Sequence, residues 1–366
     1  MASVKEKGKL QTHLLELIKS EVRGQQAYAA GPSSAPIRLD ANENPFPLPE
    51  QLHTEFMAAL GRLALNRYPA PGSPALLAGF AKKYGISPDM IMVGNGSDEL
   101  IQILCTALTA SCILTPVPTF VMYRISALNS GHKVLEAPLD EGFDLDLTTM
   151  LELLETHQPA LVFLSYPNNP TGNCFSQEKM ETLLAKAPGL VVVDEAYGNF
   201  SGRSFLPLLS RHEHLVILKT LSKIGLAALR IGFLIGAASL VHELNKVRLP
   251  YNINSLSQTA AGFYLDHEDT FLLQAAEIVK EREQLFQAME QIPGIRPYPS
   301  DANFIFFSCL FNTNQVYAAL CTQGIMVKNF PAVGHLKNCM RVTVGSKREN
   351  ELFLGVLERV IAKLGA

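Results

Sequence analysis

Seven short apolar runs, at residues 90–93, 111–115, 132–137, 160–165, 190–194, 215–220 and 231–235, alternate with helical patterns. Strands spaced by helix-length segments form successive βαβ units, which lay their strands side by side in parallel. Several of these runs, such as Val191, Val192 and Val193, are apolar on both alternations. Such a strand has no solvent face, so the sheet is expected to be covered by helices on both sides. The pattern therefore predicts an α/β fold: a large domain with a mostly parallel seven-stranded sheet between helices.

The period changes after about residue 250. A long helical pattern, broken near Asp266 and ending near Ile292, carries apolar residues at Ala276, Val279, Leu285 and Met289. The charges at 280–283 are expected to put one face in water. Strands at 303–307, 325–328 and 340–344, with helices at 313–322 and 349–364, then predict a smaller C-terminal α+β domain. At the other end, a short amphipathic stretch from Leu14 to Ile18 and the turn-rich AYAAGPSSAP form an arm expected to pack on another surface. The expected organisation is an arm (1–38), a large domain (39–250) and a small domain (251–366), which suits a chain of 366 residues.

Composition narrows the partners. A net charge of -3 gives no reason to expect nucleic acid. The most apolar late window, 226–241, is interrupted by Arg230 and is too short to cross a bilayer, so no membrane segment is expected. The six cysteines are scattered without a C-x-x-C pair, which points to a reducing compartment, the cytoplasm. His212 and His214 have no further ligands at zinc-site spacing, and His335 lies in a loop, so no metal is expected.

Four stretches carry chemistry. GNGSDEL (94–100) is a glycine-rich turn from strand to helix whose amides suit a phosphate; it lacks both the third glycine of a dinucleotide fingerprint and the G-K-[ST] of a Walker loop. SYPNNPTG (165–172) is a turn-rich loop after a buried strand. VVVDEAY (191–197) delivers Asp194 at the C-terminal end of an apolar strand, where α/β sheets place ligand groups. KTLSKIGLAALRIG (219–232) puts Lys223 and Arg230 into a largely apolar stretch, where an unpaired ammonium is costly. Each alone has an ordinary structural reading, as a cap, a turn, a strand end or a surface lysine.

In this order, the four stretches resemble the fold-type I pyridoxal-phosphate-dependent aminotransferases over nearly the whole chain. LDANENP (39–45), NRYP (66–69), GNGSDEL and MRVTVG (340–345) are more narrowly similar to the histidinol-phosphate aminotransferases. That resemblance implies transamination between L-histidinol phosphate and 2-oxoglutarate, with pyridoxal 5′-phosphate as cofactor. It implies that Lys223 holds the cofactor covalently and shuttles a proton, and that Asp194 pairs with the pyridine nitrogen. Asn169 and Tyr197 are implied on the ring oxygen and Tyr123 on the ring face. Ser97, Asp98, Ser222 and Arg230 are implied on the phosphate, joined by Tyr68 from the neighbouring subunit of a homodimer. Arg341 is the implied substrate-anion clamp, with Asn42 and Tyr28 closing the pocket.

Two departures stand out. The interval between Lys223 and Arg230 is one residue shorter than in many relatives, and Lys328 stands where many carry a phosphate-binding arginine. The alternatives left open are an aromatic amino-acid aminotransferase, an enzyme similar to threonine-phosphate decarboxylase, and a non-catalytic binding relative.

Overall fold

The computed structural model describes residues 14–26, 35–330 and 336–365. In chain order the strands are β1 (Ile37–Leu39), β2 (Ile91–Asn95), β3 (Cys112–Val117), β4 (Lys133–Pro138), β5 (Leu161–Ser165), β6 (Leu190–Asp194), β7 (Leu215–Thr220), β8 (Ile231–Ile235), β9 (Ile295–Pro297), β10 (Phe304–Cys309), β11 (Ile325–Asn329) and β12 (Cys339–Thr343). Seven of them form one sheet in the order β2-β8-β7-β6-β5-β3-β4. Only β8 runs antiparallel to its neighbours, so the sheet is mostly parallel, as the apolar runs predicted.

Both faces of this sheet are buried. Val191 and Val193 of β6 pack into one core with Ile217, Phe205 and Tyr264. Val192 between them packs into another with Leu218, Ile101 and Tyr123. Alternation along a strand sends adjacent side chains to opposite faces, and here both are apolar because helices cover both. No described helix is long and apolar enough to cross a membrane.

The second sheet has the order β1-β11-β12-β10-β9 and a core of its own with the long helix Glu268–Glu290 and the last helix, Lys347–Gly365. Its edge strand β1, whose three residues were too few to read as a strand in the sequence, pairs in parallel with β11, Ile37 opposite Ile325. Residues on either side of position 38 thus join the C-terminal layer. Conversely, the helix Ser255–Asp266 packs on the helices Glu50–Gly61 and Pro74–Tyr84, with Phe56 edge-on to Phe263. Packing thus crosses positions 38 and 250 in these two places, and both contacts depend on partners far away in sequence.

The charged run in the long helix also differs from expectation. Glu281 and Arg282 are buried, not solvated. Arg282 Nη1 donates to the carbonyl of Ala302, and Glu281 Oε2 accepts from Asn350 Nδ2. The inward stripe is Phe271, Ala275, Ile278, Leu285 and Met289, one position away from Ala276 and Val279. Buried polar partners replaced the lost water, which a count of charges in the sequence does not reveal.

Candidate functional site

The C-terminal ends of the parallel strands lie along one edge of the sheet. β2 ends at Asn95 and turns through Gly96 (φ 83°) into the helix Ser97–Ala107. A Cβ on Gly96 would stand 2.5 Å from Nη2 of Arg230, and one on Gly232 would stand 2.4 Å from the amide nitrogen of Ser97. Gly232 is therefore required by close approach to backbone, and Gly96 by its left-handed conformation. Arg230, itself at φ 52°, donates from Nη2 to Asp98 Oδ2 at 3.0 Å and reaches Ser222 Oγ from Nη1 at 3.5 Å. Helix amides, a hydroxyl and a guanidinium thus face one spot, a composition suited to a phosphate.

The stretch between Ser222 and Arg230 holds its short spacing by a turn at Ser222–Leu226, where Gly225 adopts φ 110°. Ser222 is fixed from behind by Thr220, whose Oγ1 lies 2.9 Å from Ser222 Oγ and 3.0 Å from the carbonyl of Ile231.

Asp194 closes β6 and is 3% exposed. Tyr123 donates to its Oδ2 at 2.8 Å and the Ala196 amide to its Oδ1 at 3.0 Å. It makes no ion pair among the described residues. Burial pushes its carboxyl up to about 6, with the Tyr123 hydrogen bond acting in the opposite direction. A buried carboxylate hydrogen-bonded on both oxygens and lacking a cation is a receptor for one.

Tyr123, which the resemblance implies on the ring face, packs into the core beside Asp194. Its ring is stacked on Phe163 with centroids 4.6 Å apart and planes at 4°, and it is fully buried. Its hydroxyl serves Asp194, and its face is taken by the core. The half-buried aromatic beside it is Phe120, edge-on to Tyr123 at 5.5 Å.

Lys223 Nζ donates to the carbonyl of Ala41 at 3.2 Å and lies 5.8 Å from the ring centroid of Tyr197. Tyr197 Oη accepts from Asn42 Nδ2 at 2.9 Å and from Asn169 Nδ2 at 3.4 Å. Asn169 Oδ1 in turn accepts from Arg341 Nη1, whose Nη2 donates to the carbonyl of Asp40 at 2.7 Å. The Arg341 guanidinium also lies 5.0 Å from the ring of Phe304. Asn42, at φ 55°, is held by Thr343 and Asn303, so the 39–45 turn is pinned to β12 and to the residue before β10. Lys328 sits opposite Arg341 in the β11–β12 register. Burial holds the Lys328 ammonium below the usual lysine range, and the Arg341 charge adds to the effect.

The model of the aminotransferase class I and II family matches residues 34–357. The chain belongs to that family. It is 43% identical to histidinol-phosphate aminotransferase 2 of Nitrosococcus oceani over 93% of this chain and 96% of that one. It is 40% identical to the histidinol-phosphate aminotransferase of Aquifex aeolicus, over 96% and 99% of the two chains. Among solved structures, the histidinol-phosphate aminotransferase of Sinorhizobium meliloti in complex with pyridoxal-5′-phosphate superposes with a TM-score of 0.86 at 23% identity, covering 95% of this chain and 98% of that one.

In this aminotransferase one predicted site residue is largely exposed. Tyr68 is 81% exposed and stacks on Tyr251 with centroids 4.5 Å apart. Tyr28 lies outside the described residues. Residues that the sequence did not single out include Phe120, two positions after Pro118, and Asn168, fully buried and bonded to Thr119, Thr171 and the Pro118 carbonyl. Asn168 ties the 165–172 loop to the segment carrying Phe120. Its signal was an asparagine pair, of which only Asn169 was read as functional.

Proposed function

We propose that this aminotransferase moves an amino group from L-histidinol phosphate to 2-oxoglutarate, giving imidazole acetol phosphate and glutamate, with pyridoxal 5′-phosphate as cofactor, in the cytoplasm. The residues present suit that cofactor on two counts. Asp194 is a buried carboxylate without a cation, matched to a protonated ring nitrogen. Arg230 packs against Gly96 at the start of the Ser97–Ala107 helix and reaches Ser222 Oγ, a group of donors matched to a phosphate. When bound, pyridoxal phosphate supplies an aldehyde that accepts the amino group and a ring that takes up the electron pair left at the substrate carbon.

The chain's own groups do the rest. Ser97 and Asp98 amides, Ser222 and Arg230 hold the phosphate, and Asp194 keeps the ring nitrogen protonated. Tyr197 and Asn169 bond the ring oxygen, while Phe120 is the aromatic group available beside the ring. Lys223 forms the covalent attachment and moves the proton at the substrate carbon, for which its place beside Tyr197 gives it a route into the pocket. Arg341, backed by Lys328, takes the substrate's anion: a phosphate in one half-reaction and a carboxylate in the other. Asn42 closes the pocket. Tyr68, stacked on Tyr251 and facing outward, reaches the phosphate site of a second copy in a homodimer.

The observation that carries this reading is the cationic pair Arg341 and Lys328, joined through Asn169 to the Tyr197 hydroxyl near Lys223. Two adjacent cations suit a dianionic phosphate ester better than an aromatic side chain. Adding histidinol phosphate alone to the cofactor-loaded protein is expected to convert the yellow absorption to that of the pyridoxamine form. No spectral change with histidinol phosphate, with conversion by phenylalanine or tyrosine, would refute it.

A further inference from the structure

Asp194 is followed directly by a second buried carboxylate, Glu195. The two point to opposite faces of the sheet: Asp194 bonds Tyr123, which belongs to one core, and Glu195 accepts from the Phe205 amide, Phe205 belonging to the other. Glu195 Oε2 lies 2.6 Å from Lys219 Nζ in an ion pair whose carboxylate is wholly inaccessible. Ser204 Oγ also donates to this carboxylate, at 2.7 Å to Oε2. Lys219 belongs to β7 and follows Leu218, the register partner of Asp194.

None of the roles above uses this pair. We propose that Lys219 and Glu195 are positioning residues for the reaction: Lys219 cancels the Glu195 charge from behind the sheet, so that Asp194 stays ionised and able to hold the cofactor's ring nitrogen. The inference rests on the pyridoxal-phosphate reading given above. Adjacent like charges in a low-dielectric site disfavour each other's ionisation, and an uncompensated Glu195 acts on Asp194 in that direction. The Phe205 amide and the Ser204 hydroxyl also donate to the Glu195 carboxylate and hold it in place.

Other charges near Asp194 leave the sign of the effect intact. Tyr123 lowers its proton affinity through a hydrogen bond, and Asp98 raises it from the neighbouring helix. Tyr197 follows on the same strand end. On the far face, Lys219 Nζ lies 5.6 Å from the ring of Tyr84, and Lys83 beside it is paired with Glu268 and bonded to Tyr264. That second lysine already has its own carboxylate and does not replace Lys219.

The test is the pH dependence of pyridoxal phosphate affinity, measured by absorption titration of the full-length protein stripped of cofactor. Lys219→Met is expected to move the pH midpoint of tight binding upward by about one unit. Glu195→Gln is expected to move it downward, and Lys219→Arg to leave it near that of the unmodified protein. Opposite shifts are the signature, since a purely structural role would weaken binding in both variants without separating their midpoints. Midpoints that stay together, or move the same way, overturn the inference. If Lys219→Met does not fold, the downward shift in Glu195→Gln decides alone. Failure of the unmodified protein to bind pyridoxal phosphate sinks the cofactor reading instead.

Discussion

At one end of the pocket, Gly96, Ser97, Asp98, Ser222 and Arg230 come from turns at the ends of adjacent strands in a single sheet, β2, β8 and β7. At the other, Arg341 bonds the carbonyl of Asp40 and Thr343 bonds Asn42, each across 301 residues of chain. The first end is fixed by backbone: two glycines admit close approach, and hydrogen bonds within one sheet set the distances. The second is fixed by side chains and exists only once the 39–45 turn, β12 and the 165–172 loop have come together. A rigid cradle suits the group that stays through the catalytic cycle, and a side-chain clamp suits two substrates that take turns.

Four substitutions probe that contrast. Lys223→Ala, between the two ends, is expected to lower transamination by at least about 10⁴-fold while leaving thermal unfolding nearly unchanged. Steady-state rates within a hundredfold of the unmodified protein would remove Lys223 from its assigned role. Arg341→Met is expected to lower kcat/KM by about 10²-fold for the phosphorylated donor and the keto-acid acceptor alike, because a charge-assisted clamp is lost from both half-reactions. A loss confined to one substrate would break the idea of a shared clamp.

Asp194→Asn tests the cradle side by pH. The native carboxyl titrates near 6, above its ordinary 3.8, so the folded cofactor-free protein holds this proton more tightly than the unfolded chain. Stability therefore falls as pH rises from about 4 to about 6, and above that window the burial penalty is fully present. The asparagine variant is expected to gain about 3 kcal/mol at pH 7 in the cofactor-free state, and to lose the pH dependence. Denaturant unfolding at pH 4.5 and 7 checks it; an unchanged profile would mean that the cation-receptive carboxylate is not where the energy lies. Gly96→Ala should cost about 1 kcal/mol of folding stability for the left-handed backbone. Its expected consequence is weaker cofactor binding through a displaced Arg230, with substrate KM unaffected once the cofactor is saturating. A change in KM alone would show that the two ends are mechanically coupled.

What was legible in the sequence follows the same division. The turn at 94–100, the strand end at Asp194 and the 219–232 stretch were visible because each is local: a few residues encode both a backbone shape and a chemical group. The stacking of Tyr123 on Phe163 was not legible in this way, since it depends on β5, some forty residues later. Glu281 and Arg282 were misread for a related reason, their partners Asn350 and Ala302 lying far along the chain.

By itself, then, the order of apolar runs determined the sheet, its double burial and the positions of Asp194 and Lys223 at or just past the C-terminal ends of its strands, because strand period and turn chemistry are short-range properties. The tertiary structure alone decided that β1 joins the C-terminal sheet, that Asn42 and Arg341 meet at Asn169 and Tyr197, and that Glu195 turns its charge away from Asp194 toward Lys219. Those are contacts between segments whose sequences carry no mutual signal, made favourable only when packing removes water from both partners at once.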